Sequence, residues 1–271
     1  MLRPRDWRLI NGEHFEALPA ALARARANAA ARALARADWL IRRKDDGRYL
    51  AAVSQRSDTL RAVPLDPAAR RLADALHAFA ARLHPARRER TGARTELSLH
   101  HLPRLLHALG LPDDYGARHA LALVAEPVQL AFAGFDRYRR PLWLHADAAR
   151  AWARMREAAR RDGVVLEAIS GYRSHAYQLG IFRRKLARGQ TVEQILAVNA
   201  APGYSEHHSG RALDIGTPGE PPAEESFETT TAFAWLGAHA GAFGFVMSYP
   251  RDNPHGIVYE PWHWCWRRAG A

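Results

Sequence analysis

The chain has almost no cysteine and almost no lysine. Cys265 is the single thiol in 271 residues, so an internal disulfide framework is excluded and the redox compartment is left open. Lys44 and Lys185 are the only lysines among 39 basic residues, and the net charge of +11 is therefore carried by arginine. Those arginines are spread along Ala-rich stretches without aromatic interleaving or a nucleic-acid motif, so a specific nucleic-acid partner is not expected despite a pI near 10.5. A basic surface still favours anionic polymers through long-range attraction that salt weakens. Long apolar runs are absent too. No segment has the length and apolarity of a membrane span. The stretch after Phe15 is broken by Arg24, Arg26, Arg32 and Arg36, so it does not read as the core of a signal peptide.

What is present concentrates in two short segments. Ser205 to Asp214 reads S-E-H-H-S-G-R-A-L-D, and Glu260 to His263 reads E-P-W-H. A hydrolytic zinc site wants three His or carboxylate ligands and leaves a further position open. His207, Asp214 and His263 meet that need. A further carboxylate, near the metal but not bound to it, must take a proton from the attacking water and return it to the leaving amine, and Glu260 is placed for that. The interval from His207 to Asp214 fits neither one helix face nor one strand face, so a turn at Ser209 and Gly210 is expected, followed by a short buried strand from Ala212 to Ile215. A purely structural zinc site is disfavoured, because such sites are closed by four ligands rich in cysteine.

The pattern S-x-H-x-x-G-x-A-x-D at Ser205 to Asp214, followed by E-P-W-H-W at Glu260 to Trp264, resembles the D-alanyl-D-alanine carboxypeptidases of the VanY type. Two further blocks carry the same resemblance in the same order: S-G-Y-R-S with Gln178 at Ser170 to Gln178, and G-F-x-x-S-Y-P at Gly244 to Pro250. The resemblance covers roughly residues 140 to 266. It implies a zinc peptidase that removes the terminal D-alanine from peptidoglycan stem peptides, with His207, Asp214 and His263 on Zn2+ and Glu260 as base. It also implies that Arg173 steadies the oxyanion, a task suited to a permanently charged, multi-donor fork. Gln178, Ser205 and Tyr249 would line the substrate pocket. Cleavage elsewhere in the stem peptide, as a tetrapeptide L,D-carboxypeptidase or an endolysin-type endopeptidase, stays open, as does a binding protein that has lost turnover. The substrate class implies the cell envelope; without a visible signal peptide the cytoplasm stays open. The sequence does not decide the oligomeric state.

Residues around these motifs are read conservatively. Cys265 follows His263 by two and would share its side of a strand, but a lone thiol is read as a small buried hydrophobe. His175 and His208 are read as pocket walls or surface residues, and His239 and His255 as non-ligands. Of Trp262, Trp264 and Trp266, Trp262 is expected to face substrate, in a segment that alternates between core and pocket.

The fold expectation is α+β: a small antiparallel sheet with flanking helices in residues 95–271 carries the zinc site, preceded by a helix-rich region of unknown role in residues 1–94. Within that region Leu18 to Ala37 reads as an Ala/Arg helix, and Trp39 to Ile41 with Tyr49 to Val53 as a hairpin around Asp45, Asp46 and Gly47. A second helix starts at Asp66 and Pro67, with Leu72, Leu76, Phe79 and Leu83 on one face. The boundary is placed in the charged stretch His84 to Arg94. Further on, Leu121 to Val124 and Val128 to Phe132 read as paired strands, Ala148 to Ala159 as a helix closed by Gly163, Val164 to Ile169 as a strand, and Tyr177 to Leu186 as a helix. Thr191 with Gln194 reads as a capping box, and Phe233 to Ala242 as the last helix.

Overall fold

A computed structural model describes residues 7–23, 28–56, 59–83 and 95–268. Contacts divide the chain into two units, Met1–Leu97 with Pro127–Leu130, and Ser98–Glu126 with Ala131–Ala271.

The first unit is built on five antiparallel strands: β1 (Arg8–Asn11), β2 (Phe15–Pro19), β3 (Trp39–Arg43), β4 (Tyr49–Arg56) and β5 (Thr59–Pro64), each paired with the next. Helices α1 (Asn28–Ala35), α2 (Ala68–Arg71) and α3 (Ala73–Ala80) complete it. Trp39, Ile41, Leu50 and Val53 of the sheet pack on Leu76, Phe79 and Leu83, so the expected stripe of the second helix is core. The Asp45–Gly47 turn does join β3 and β4, with Gly47 at φ +70°.

Helix-rich is nevertheless too narrow a description of this unit. Leu18 and Pro19 belong to β2 and Ala20–Leu22 to a 3-10 turn; of the described part of the expected Ala/Arg helix, Asn28–Ala35 is helical. All five residues of β2 are buried, so the alternation that betrays a half-exposed strand never appears in its sequence. The charged stretch taken as a boundary, residues 84–94, lies outside the described residues.

The second unit holds the α+β arrangement expected from the sequence. Its centre is a four-stranded antiparallel sheet ordered β10 (Phe245–Met247), β11 (His263–Trp266), β9 (Ala212–Gly216), β8 (Glu167–Ser170). On it lie α6 (Ala146–Arg161) and α9 (Thr231–His239). Ala148, Ala151, Trp152, Met155 and Ala159 recur at helical spacing and are all buried, packed with Leu213 and Ile215 of β9 and with Leu236 and Phe245. Truncating fully buried Trp152 to alanine would cost about 3–5 kcal/mol. Past the end of α6, Gly163 takes φ +76°, the left-handed conformation that ends a helix most cheaply with glycine.

Around this body run α4 (Leu102–Ala108), α5 (Tyr115–Arg118), α7 (His175–Leu186) and α8 (Val192–Leu196), and a hairpin of β6 (Gln129–Phe135) with β7 (Pro141–Leu144) pairs Ala131 with Leu144. The capping box on α8 is formed in both directions by Thr191 and Gln194. Leu121 to Val124 is not a strand: the Val124 amide donates to the Gly203 carbonyl and its own carbonyl accepts from His175 Nε2, so these groups are satisfied by loops. Among the described residues, no helix is long and apolar enough to cross a membrane.

Candidate metal centre and active site

The site grows from the β9 and β11 pairing. Residues Glu206–Ser209 form one 3-10 turn, Gly210 leaves it at φ +66°, and β9 begins two residues later. That left-handed step is what lets His207 turn back over Asp214. Register then brings in the third residue, because His263 on β11 stands opposite Asp214 on β9. His207 Nε2 is 3.3 Å and His263 Nδ1 3.2 Å from Asp214 Oδ1. All three residues are buried, and the three donor atoms lie within 4.8 Å of one another.

The other ring nitrogen of each histidine is held. His207 Nδ1 donates to the Gly171 carbonyl at 2.7 Å, which turns the Nε2 lone pair inward. His263 Nε2 donates to Glu206 Oε2 at 2.9 Å, and the other oxygen of Glu206 accepts from Arg267. Burial alone would lower the His263 pKa, yet hydrogen bonds accepted by Asp214 and Glu206 outweigh it and raise it to about 10. Burial would also raise Glu206, but His263 and Arg267 hold it down at about 2. Asp214 is likewise held below the usual carboxylate range by both histidines against its burial. The donors thus form a buried set that favours positive charge at its centre. His2Asp is a ligand set that zinc accepts.

Around it stand the remaining expected residues. Glu260 Oε2 lies 3.8 Å from His263 Nδ1. Burial pushes its carboxyl up to about 7 against the pull of His263, with Asp214 adding to the rise. Arg173 follows β8; its Nη2 donates to Asp214 Oδ2 and its Nη1 to Gln178 Oε1, each at 3.3 Å. Gln178, on the first turns of α7, also donates to the Ala200 carbonyl at 2.8 Å, so it is a brace for Arg173. The ring of Tyr249 packs on His263 with centroids 4.7 Å apart. Ser205, Tyr249 and Trp262 join the three metal donors, Glu260, Arg173 and Gln178 in lining one cavity of about 310 Å³. Trp264 lies in the core and Trp262 and Trp266 pack against that same core, so the three tryptophans do not alternate; Trp262 also reaches the cavity and Trp266 stacks on His145.

Two expectations need correction. His175 and His208 are neither pocket walls nor surface residues; both are buried and neither lines the cavity. His208 Nδ1 donates to the Arg173 carbonyl at 2.6 Å, and its Nε2 accepts the Gly203 amide at 3.1 Å. His175 packs edge-on against it, while Glu126 accepts both the His175 amide and the Tyr172 hydroxyl. This network fixes the backbone on which Arg173 sits. A buried His beside a ligand offers no sequence signal that separates strut from wall. Glu206 was missed as well, although a carboxylate adjoining a ligand histidine is the signal that points to it. Cys265 is buried opposite Ala212 and lies outside the metal donor set, and burial pushes its thiol up. His239 and His255 are not among the donors.

Residues 141–269 match the VanY family, D-alanyl-D-alanine carboxypeptidase. A D-alanyl-D-alanine carboxypeptidase of Enterococcus faecalis is 36% identical over 118 residues, 40% of this chain and 42% of the relative. Among solved structures, the LdcB LD-carboxypeptidase is 34% identical over 46% of this chain and 59% of its own, with a TM-score of 0.43. A VanY D,D-pentapeptidase from a VanB-type resistance cassette, solved with Zn(II), is 27% identical over 55% of this chain and 80% of its own, with a TM-score of 0.40. The chain spans less than half the length of the first curated relatives it matches. The four ordered motifs and the match to the VanY D-alanyl-D-alanine carboxypeptidase family fall on the same stretch of the chain.

Proposed function

We propose that the protein is a zinc-dependent carboxypeptidase that hydrolyses the terminal D-alanine from peptidoglycan stem peptides, with its peptidase domain in residues 95–271 and an accessory region in residues 1–94. The observation that carries this reading is the convergence of His207, Asp214, His263, Glu260 and Arg173 on one cavity. His207, Asp214 and His263 would hold zinc, which when bound would supply Lewis acidity toward the scissile carbonyl and a water.

The protein's own groups do the rest. Glu260 accepts a proton from the attacking water and delivers it to the leaving amine. Arg173, braced by Gln178, faces the negative charge that develops on the carbonyl oxygen. Ser205, Tyr249 and Trp262 form the walls against which the peptide is oriented. Glu206 and Gly171 keep the two histidine rings turned toward the donor centre.

Mass spectrometry of the products decides the reading. A stem pentapeptide ending in D-Ala-D-Ala is expected to lose one alanine to the zinc-loaded protein. Loss from the tetrapeptide alone would make it an L,D-carboxypeptidase, and no release from either would sink the carboxypeptidase assignment.

A further inference from the structure

Lys185 also lines the cavity. It is one of two lysines in a chain that otherwise uses arginine, and the other, Lys44, is buried with its ammonium on the Gly12 carbonyl. Lys185 has no such partner. No described residue hydrogen-bonds or ion-pairs with its ammonium, and the only influence on its pKa is burial, which lowers it. The cavity's arginine is committed: Arg173 lies on Asp214 and Gln178. A half-buried, unpaired ammonium pays desolvation without local return unless an anion arrives.

Position indicates which anion. Gln178 and Lys185 lie seven residues apart on α7, with buried Phe182 between them, so they share a face and are separated by about 10 Å along the axis. Gln178 touches Arg173, and Arg173 touches Asp214. The carboxylate of a single leaving residue lies only about 4 Å from the bond being cut, one residue's span. Lys185 stands beyond that reach. A carboxypeptidase has nothing further on the leaving side, so the arm toward Lys185 receives the acyl side of the peptide. Val198, Ile257 and Val258 give the cavity apolar wall, and the Val258 amide donates to the Ala197 carbonyl at 3.1 Å.

We propose that Lys185 recognises a second carboxylate of the substrate, two or three residues before the scissile bond, so that the enzyme selects acidic peptides over those amidated there. This rests on the carboxypeptidase reading. Lys185 is a specificity residue at the far end of the cavity, separate from the reacting groups.

The test uses the full-length, zinc-loaded protein and two peptides ending in D-Ala-D-Ala. One carries a free carboxylate at the second or third residue before the bond and the other its carboxamide, with kcat and KM measured for each. The acid is expected to be preferred about tenfold or more in kcat/KM, mainly through KM, an ion pair's worth of partly desolvated binding. Lys185→Met should bring the ratio near one by raising KM for the acid and leaving the amide unchanged, and Lys185→Arg should restore most of the preference. Equal kcat/KM for acid and amide with the native protein overturns the proposal while the carboxypeptidase reading stands, as does a Lys185→Met protein that keeps the native ratio. Release of alanine from neither peptide overturns both.

Discussion

At the residue scale the environment of Glu260, the proposed base, makes a prediction independent of turnover. Its carboxyl titrates near 7 in the folded metal-free protein because burial disfavours its charge. The unfolded value is near 4.3. A folded pKa above the unfolded one means a contribution present below the unfolded value and lost as pH rises through 7. Glu260→Gln should therefore stabilise the metal-free protein above pH 7 by up to about 3 kcal/mol, and by nothing at pH 4, in denaturant melts at the two pH values. Equal effects at both would mean that the carboxylate is not desolvated.

At this scale the sequence was most legible. The three metal donors and Glu260 are residue types with few other reasons to recur at such spacing, and Arg173, Gln178, Ser205, Tyr249 and Trp262 all reach the same cavity. Their supports were not legible. Glu206 and His208 act through contacts with Arg267 and with the Arg173 carbonyl, made by residues distant in the chain. No local pattern encodes the His208 contact, and Glu206 is marked only by its place beside a donor histidine.

At the element scale the site depends on how β8, β9 and β11 meet. The loop leaving β8 presents the Gly171 carbonyl to His207, and there is no room for a side chain: a Cβ on Gly171 would stand 2.7 Å from Leu142 Cδ1 and 3.1 Å from the Trp143 carbonyl. Gly171→Ala must shift that loop and loosen the His207 ring. Zinc affinity, measured by competition with a chromophoric chelator, is expected to fall about tenfold or more. Unchanged affinity would remove Gly171 from the support of the site.

Elements read from pattern agree with the structure where period and caps coincide, as in the helix from Ala146 to Arg161 and the capping box at Thr191. They failed where burial on both faces erased the period, as in Phe15–Pro19, or where an apolar run was held by loops, as in Leu121 to Val124.

Over the whole molecule, zinc is coupled to folding of the second unit. Its three donors come from a 3-10 turn and two strands, so the set exists only when the sheet is formed. Binding to the folded state alone adds about 2.7 kcal/mol at a hundredfold excess over Kd. Chelator-treated protein should melt several degrees lower, with restoration on adding zinc. A melting temperature indifferent to zinc would show that the site is not formed as described.

The most direct measurement is zinc content and D-alanine release on the same samples of native and Glu260→Ala protein. Native protein should hold one zinc and release D-alanine from the pentapeptide, while Glu260→Ala should keep its zinc and lose about 10²–10⁴-fold in rate. Loss of zinc with the substitution would make Glu260 a ligand, and retained activity would remove it from the reaction; either result contradicts the account.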